Sequence, residues 1–541
     1  MQKSNPIVLA GVILGALLLL AGADVLKGGF YMGKHEGDAY QFIDIVMRMA
    51  QGEVAHRDFM TPIGALAFAP VVLLVKAGMG IGHAIIWAQV LVAVVLAPPL
   101  WWIAQRRLTP LAAVLFSIVV MVLILALVHG EAQRSVSISM HYNRWAWAAA
   151  YIAVLAAILP PDVPRRAGSE PQAQGTVDGL IVGAAMLALL LIKVTYFAAF
   201  VIPVVLGLVL TGQRRTLLIA LLTGLAAMAA LTVWLGIDYW TAYIGDLLTV
   251  ARSDIRPQPG EPFGAILGAP AYIGGSLVAV ASVILLRRAG AATGGLVLLT
   301  LLPGFFYVTY QNFGNDPQWL PLLAVIVLAL RPMQEVTHGG GPLTLAAAMA
   351  LALGAPSFFN LAYSPFRHLA VDTSKYAPLL PDGGRNTDLQ TLAIRANRVD
   401  ARVALDGPGS GLEAYRAAAE RDPAPSFAGQ TFPICSVELG LPLFFRAIAQ
   451  DLAGAGYGGA RIFAADLLSP FWLFGDFRPL AHAAPWYYGG LPGFDGADYL
   501  LVPVCPIEQD VQAKILDAVK ASGETLTEVR RTPLYILYAR G

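Results

Sequence analysis

Residues 35–62, HEGDAYQFIDIVMRMAQGEVAHRDFMTP, gather Glu36, Asp38, Asp44, Glu53 and Asp58 with His35 and His56 between two apolar stretches. The chain as a whole is 57% hydrophobic and only 13% charged, so such a cluster calls for a reason. Glu36 and Asp38 flank a glycine ahead of the helical pattern Tyr40, Ile43, Val46 and Met47, which places them where a loop turns into a helix. A carboxylate held there at a membrane surface could take a proton from an acceptor hydroxyl, or orient it, while a sugar is displaced from its leaving group. The plainer reading is a solvated helix start, because acidic side chains are favoured at helix N-termini. Asp58 is the candidate partner carboxylate, whereas Asp44 and Glu53 read as surface charges. His35, His56 and their acidic neighbours leave a divalent metal open, although their spacing fits no zinc pattern.

A departing phosphate needs cations, and arginine can grip one through two hydrogen bonds while keeping its charge in poor solvent. Arg57, beside Asp58, and Arg144, in HYNRW with Asn143, are the first choices among Arg48, Arg57, Arg134, Arg144, Arg252 and Arg256. For any one of them the alternative is an interfacial side chain snorkelling to water. Lys193 interrupts a long apolar run, where an unpaired cation costs about 3 kcal/mol on insertion scales, so it should meet an anion or a polar cavity unless it sits at the outer turn. The turn YQNFGNDPQW, residues 310–319, offers Asn312 and Asp316 with flanking aromatic rings for sugar hydroxyls, yet Asn-Asp-Pro is also ordinary turn chemistry.

The elements that must position these groups are set by 541 residues rich in long uncharged runs, which predict an all-α polytopic membrane bundle. The run 6–23 is read as an uncleaved first helix rather than a signal peptide. Basic pairs at 106–107, 165–166, 214–215 and 287–288, with Arg331 as a weaker mark, are assigned to the cytoplasm. Apolar runs between these marks come in even numbers: 110–128 and 144–159, 178–211 as two, 216–236 and 264–286, 291–310 and 318–330. With 6–23 and 85–104 before them and 342–360 after, about eleven transmembrane helices are expected. The run 178–211 would be about 51 Å long as one helix, so it should fold back near Lys193. The N-terminus is then cytoplasmic, residues 24–83 form a long first external loop, and the apolar piece 63–75 should lie in the interface or dip partly inward.

After this bundle, residues 1–360, the composition becomes that of a soluble extracytoplasmic α/β domain, residues 361–541. Strands are predicted at 401–405, 461–464, 498–504 and 534–538, and helices at 411–421, 443–453 and 508–521. The two cysteines, Cys435 and Cys505, could pair in an oxidising exterior or stay as separate buried thiols. Thirty-six Lys and Arg against 35 Asp and Glu leave a formal charge of +1, which gives no reason to expect nucleic acid as a partner. DGPGSG, residues 406–411, lacks the Lys-Ser/Thr of a phosphate-binding loop and reads as a turn. The alanine-, glycine- and arginine-rich composition points to a bacterium of high genomic GC, and hence to its inner membrane.

HEGDAY, then QGEVAHRDF, then the proline-led TPIGALAFAP, all directly after the first apolar helix, resemble the first external loop of GT-C superfamily membrane glycosyltransferases, akin to the protein O-mannosyltransferase and aminoarabinose transferase branch. The resemblance implies a polyprenyl-phosphate-linked sugar donor, a first-loop acidic residue as base, a lysine placed like Lys193, and a carboxy-terminal external domain. It also implies an extracytoplasmic acceptor, whether glycan, lipid or protein. Where relatives carry adjacent Asp-Glu this chain has Glu36-Gly37-Asp38, and where some carry Lys-Pro-Pro it has Thr61-Pro62-Ile63, so which carboxylate is the base stays open. One displacement at the sugar inverts it and needs one base, with Tyr40 and His56 as further substrate contacts. The contrasting class is a transporter or flippase, in which charges would line a path through several helices.

Overall fold

A computed structural model describes residues 4–129, 134–161, 172–255, 262–311, 317–337, 341–380, 384–406, 410–418 and 424–541. The helical portion runs α1 (Pro6–Leu26), β1 (Phe30–Met32), α2 (Glu36–Gln51), α3 (Ala69–Lys76), α4 (Ile81–Arg107), α5 (Pro110–Leu125), α6 (His141–Ile158), α7 (Gln172–Ile192) and α8 (Val194–Leu210). It continues with α9 (Arg214–Leu235), α10 (Asp238–Ala251), α11 (Phe263–Gly268), α12 (Pro270–Arg288), α13 (Ala292–Gln311), α14 (Leu320–Leu330), α15 (Met333–Thr337) and α16 (Pro342–Leu369). Seven of these, α1, α4, α7, α9, α12, α13 and α16, are long and apolar enough to cross a bilayer, and α5, α8 and α14 are shorter apolar helices. α9 is apolar all round yet buries only Thr216, the pattern of a helix whose solvent is hydrocarbon. By contrast α6 buries every one of its residues and forms the centre of the bundle.

Close packing of α7 on α9 depends on two glycines one turn apart. A Cβ on Gly179 would lie 2.5 Å from the Ile219 Cβ, and one on Gly183 would lie 2.6 Å from the Ala220 carbonyl oxygen. Small residues at this spacing let helix backbones approach where hydrocarbon provides no hydrophobic drive. The predicted fold-back near Lys193 is present: α7 ends at Ile192, Lys193 is extended (φ −159°, ψ 110°), and α8 begins at Val194. The apolar piece 63–75 yields a 3₁₀ turn at Ala65–Ala67 and the eight-residue α3, about 12 Å long, which packs on α2 and α4 and buries Val71, Val72 and Val75.

Beyond the bundle come β2 (Tyr376–Pro378), β3 (Leu389–Leu392), α17 (Ala393–Asn397), β4 (Asp400–Val403), β5 (Ser426–Phe427), β6 (Gln430–Thr431), β7 (Cys435–Leu439), α18 (Leu441–Gly454), β8 (Ile462–Ala464), β9 (Tyr499–Pro503), α19 (Gln509–Ser522), β10 (Leu526–Arg531) and β11 (Tyr535–Arg540). A four-stranded sheet in the order β10-β11-β9-β8 is antiparallel except for the parallel pair β8–β9. Residues 413–418, within the expected helix 411–421, form a short 3₁₀ helix. Cys435 and Cys505 are joined as a disulfide, Cα to Cα 5.3 Å.

The first loop and this C-terminal portion are one construction. β1 enters a sheet of order β1-β3-β2, its residues Phe30, Tyr31 and Met32 pairing in parallel with Leu389, Gln390 and Thr391. Asp388 caps α4, accepting from the amides of Gly82 (3.0 Å) and His83 (2.9 Å), so the segment after α16 grips the helix that follows the first loop. α16 runs on past residue 361 to Leu369 before the chain turns to these contacts.

Candidate functional site

α2 is preceded by His35 as its N-cap, which has left-handed backbone (φ 71°), and carries Glu36 and Asp38 in its first turn. The two carboxylates then diverge. Glu36 is 4% exposed and takes a two-pronged ion pair from Arg395, Nε to Oε1 2.6 Å and Nη2 to Oε2 2.7 Å, while the Thr391 hydroxyl donates to Oε1 at 2.8 Å. Burial pushes the Glu36 carboxyl up, but the Arg395 and Thr391 hydrogen bonds and the Arg395 charge outweigh it and hold it below its ordinary value of 4.5. A carboxylate so engaged is a poor proton acceptor, and Glu36 is a tie between α2 and the β3–α17 segment. A depressed folded value makes its stabilisation complete above about pH 4.5 and lost as pH falls through that lower value. The denaturation midpoint of the wild type is therefore expected to fall more steeply than that of Glu36→Gln between about pH 5 and pH 3, the two curves converging at the acid end.

Asp38 faces the other way. The Ser139 hydroxyl donates to its Oδ2 at 2.7 Å, and it lines a recess of about 20 Å³ with Phe42, Ile63, Ser139, His141 and Tyr142. Ile63 and Tyr142 are also walls of a larger cavity of about 300 Å³ that contains Lys193, Thr195, Tyr307, Gln311 and Tyr488. Lys193 Nζ donates to the Asn143 Oδ1 at 3.2 Å and stands 5.5 Å from the centre of the Tyr142 ring. The first loop is pressed into the α7–α8 break beside it: Gly64 N donates to the Ile192 carbonyl at 3.0 Å, and a Cβ on Gly64 would fall 2.1 Å from the Leu191 oxygen. Helix interruption thus frees a carbonyl, the loop satisfies it, and Pro62 and Ile63 are carried to the cavity wall.

The remaining expected site residues have other work. Tyr40 is buried, donates to the Leu379 carbonyl at 2.9 Å and packs on Phe445 and Phe474. Asp58 accepts from the Val54 amide at 2.7 Å and from Arg57 Nε at 3.0 Å, closing its own turn. His56 is buried against Asp246 (Nδ1 to Oδ2, 2.9 Å) and stacked on Tyr243, fastening the loop to α10, and Asp246 also accepts from the Thr61 amide at 3.0 Å. Arg144 is wholly buried and donates to the carbonyls of Val128 and Ala126, the latter at 2.8 Å, closing the C-terminal end of α5. Asn312, Asp316 and Arg256 lie outside the described residues. Asp44, expected as a surface charge, is buried: it pairs with Arg48 (Oδ1 to Nε, 2.5 Å) and accepts from Trp472 Nε1 at 2.9 Å, and Arg48 also reaches Glu53 at 3.1 Å. Among the described residues no three His, Cys, Asp or Glu side chains converge as a metal site.

Four residues absent from the sequence-based candidates prove structurally central. Ser139 lies just ahead of HYNRW and Tyr142 within it, and neither carried a signal of its own; Tyr488, in PWYYGG, comes from the C-terminal portion; Arg395 is hundreds of residues from its partner. A serine two residues before His141 is legible only once the recess is known. Compared with protein-family models, with curated proteins and with solved structures, the chain matches none.

Proposed function

We propose that this chain is an integral-membrane glycosyltransferase that moves a sugar from a polyprenyl-phosphate donor to an acceptor outside the cytoplasm. The observation that carries this reading is the shared wall of Ile63 and Tyr142, which separates the small recess of the Asp38 carboxylate from the larger cavity of the Lys193 ammonium and makes the two neighbours. Asp38 takes the acceptor hydroxyl proton as that oxygen attacks the anomeric carbon; the bond to phosphate breaks, and the polyprenyl phosphate leaves with its charge facing Lys193. The sugar inverts. Tyr142, Tyr307 and Tyr488 offer ring faces, and Gln311 offers an amide, for the sugar itself.

In this reading the eleven helices α1, α4–α9, α12–α14 and α16 are the crossings. The shorter α5 is lengthened by extended backbone from Ala126 to Val128 that stays buried in protein, where irregular structure is tolerated at membrane depth. The Cys435–Cys505 disulfide suits a C-terminal portion outside the cytoplasm of a bacterial inner membrane. Against a transporter stands the placement of charge: Asp24, Arg107 and Arg144 lie near helix ends, and Asp178, about two turns inside α7, is paired with Arg107 at 2.6 Å.

The test offers purified full-length protein a panel of polyprenyl-phosphate sugars and compares wild type with Lys193→Met. Wild type is expected to release polyprenyl phosphate from one donor class, and Lys193→Met to bind that donor at least about tenfold more weakly. Absence of turnover on every donor, or equal donor affinity in the variant, removes this reading of the cavity.

A further inference from the structure

Ahead of α6, residues 134–140 lie against the first loop as a strap, and both of its buried serines point their hydroxyls at chemistry-bearing residues. Ser139 Oγ donates to the Asp38 Oδ2 at 2.7 Å. Ser139 N donates to the Ser137 Oγ at 3.0 Å, and that same oxygen is 2.9 Å from His35 Nδ1. The strap is anchored behind these contacts: Ser137 N donates to the Leu127 carbonyl at 2.8 Å, Gly33 N donates to the Val136 carbonyl at 2.9 Å, and Val136 forms a bridge with Val128. Ser137 and Ser139 are 1% and 3% exposed, so neither hydroxyl is there for solvent.

We propose that Ser139, braced by Ser137, is a positioning residue that holds Asp38 toward the recess, making the α5–α6 strap part of the proton-accepting site. The role assigned to Asp38 rests on the transferase reading; the tether itself does not. Two χ angles leave a short carboxylate free to swing between the recess and the helix start, and a single buried donor fixed on anchored backbone removes that freedom. Other charged or titratable groups near the tether are His35, with Lys34, Glu36 and Arg395 around it, and His141 on the recess wall.

The test uses full-length protein in lipid nanodiscs, labelled at one fixed pH with a carbodiimide, and follows the rate of adduct formation at Asp38 by mass spectrometry. Ser139→Ala, which lets the carboxylate swing away from the recess, is expected to change that rate by about threefold or more, Ser139→Thr to keep the wild-type rate, and Ser137→Ala to change it the same way by less. Should Ser139→Ala lower thermal stability, Ser137→Ala, which leaves the Asp38 donor in place, carries the comparison. Rates unchanged in both alanine variants overturn the proposal. Transfer assays on the same preparations separate the two ideas: a changed labelling rate with no turnover by wild type discards the transferase reading and retains the tether.

Discussion

Asp38→Asn is expected to lose about a hundredfold to ten-thousandfold in sugar transfer while folding as the wild type does. The asparagine side chain has nearly the same shape, and its Oδ1 can still accept from Ser139, so the strap keeps its contact. What disappears is the ability to receive a proton. Lys193, Asn143 and Tyr142 are untouched, so donor binding should persist and the loss should fall on turnover. Turnover and donor affinity measured on one preparation check this; full turnover by Asp38→Asn would show that another group accepts the proton.

The largest expected effect on stability is at Arg48. Arg48→Ala should cost about 3–5 kcal/mol, because it strands the buried Asp44 carboxylate with Trp472 as its remaining hydrogen-bond donor. The same change removes a bond to the Leu480 carbonyl at 2.9 Å and the packing of the guanidinium near Phe59 and Trp472. Those contacts join α2 to the C-terminal portion, so limited proteolysis should open that junction first. A double variant, Asp44→Asn with Arg48→Met, is expected to recover part of the loss, since it leaves no unpaired charge. Equal midpoints for wild type and Arg48→Ala in chemical denaturation would contradict this account.

Much of the helical layout was legible because apolar runs and their lengths are local properties. The break at Lys193, the C-terminal strands β4, β8, β9 and β11, and the helices α18 and α19 fall where periodicity and length place them. The site was harder for a physical reason. Glu36, Asp38 and Asp44 are alike in type and neighbourhood, and only their partners separate them: Arg395 and Thr391 for the first, Ser139 for the second, Arg48 and Trp472 for the third. Three of those five partners lie hundreds of residues away, beyond the reach of any periodic pattern. The partners of Arg144 and Tyr40 were hidden for the same reason, since an arginine that closes a helix end and a tyrosine that donates to a distant carbonyl look, in sequence, like any other polar side chain.

The parallel pairing of β1 with β3 also bears on the order in which the molecule can be completed. Phe30 leaves the ribosome early, yet its strand partner Leu389 follows only after α16. Until then β1 is an unpaired edge and Glu36 lacks both Arg395 and Thr391, so the start of α2 is held only from the Ser137 and Ser139 side. A half-made chain therefore has its acidic loop fastened on one flank alone, and the second flank arrives with one of the last stitches in synthesis.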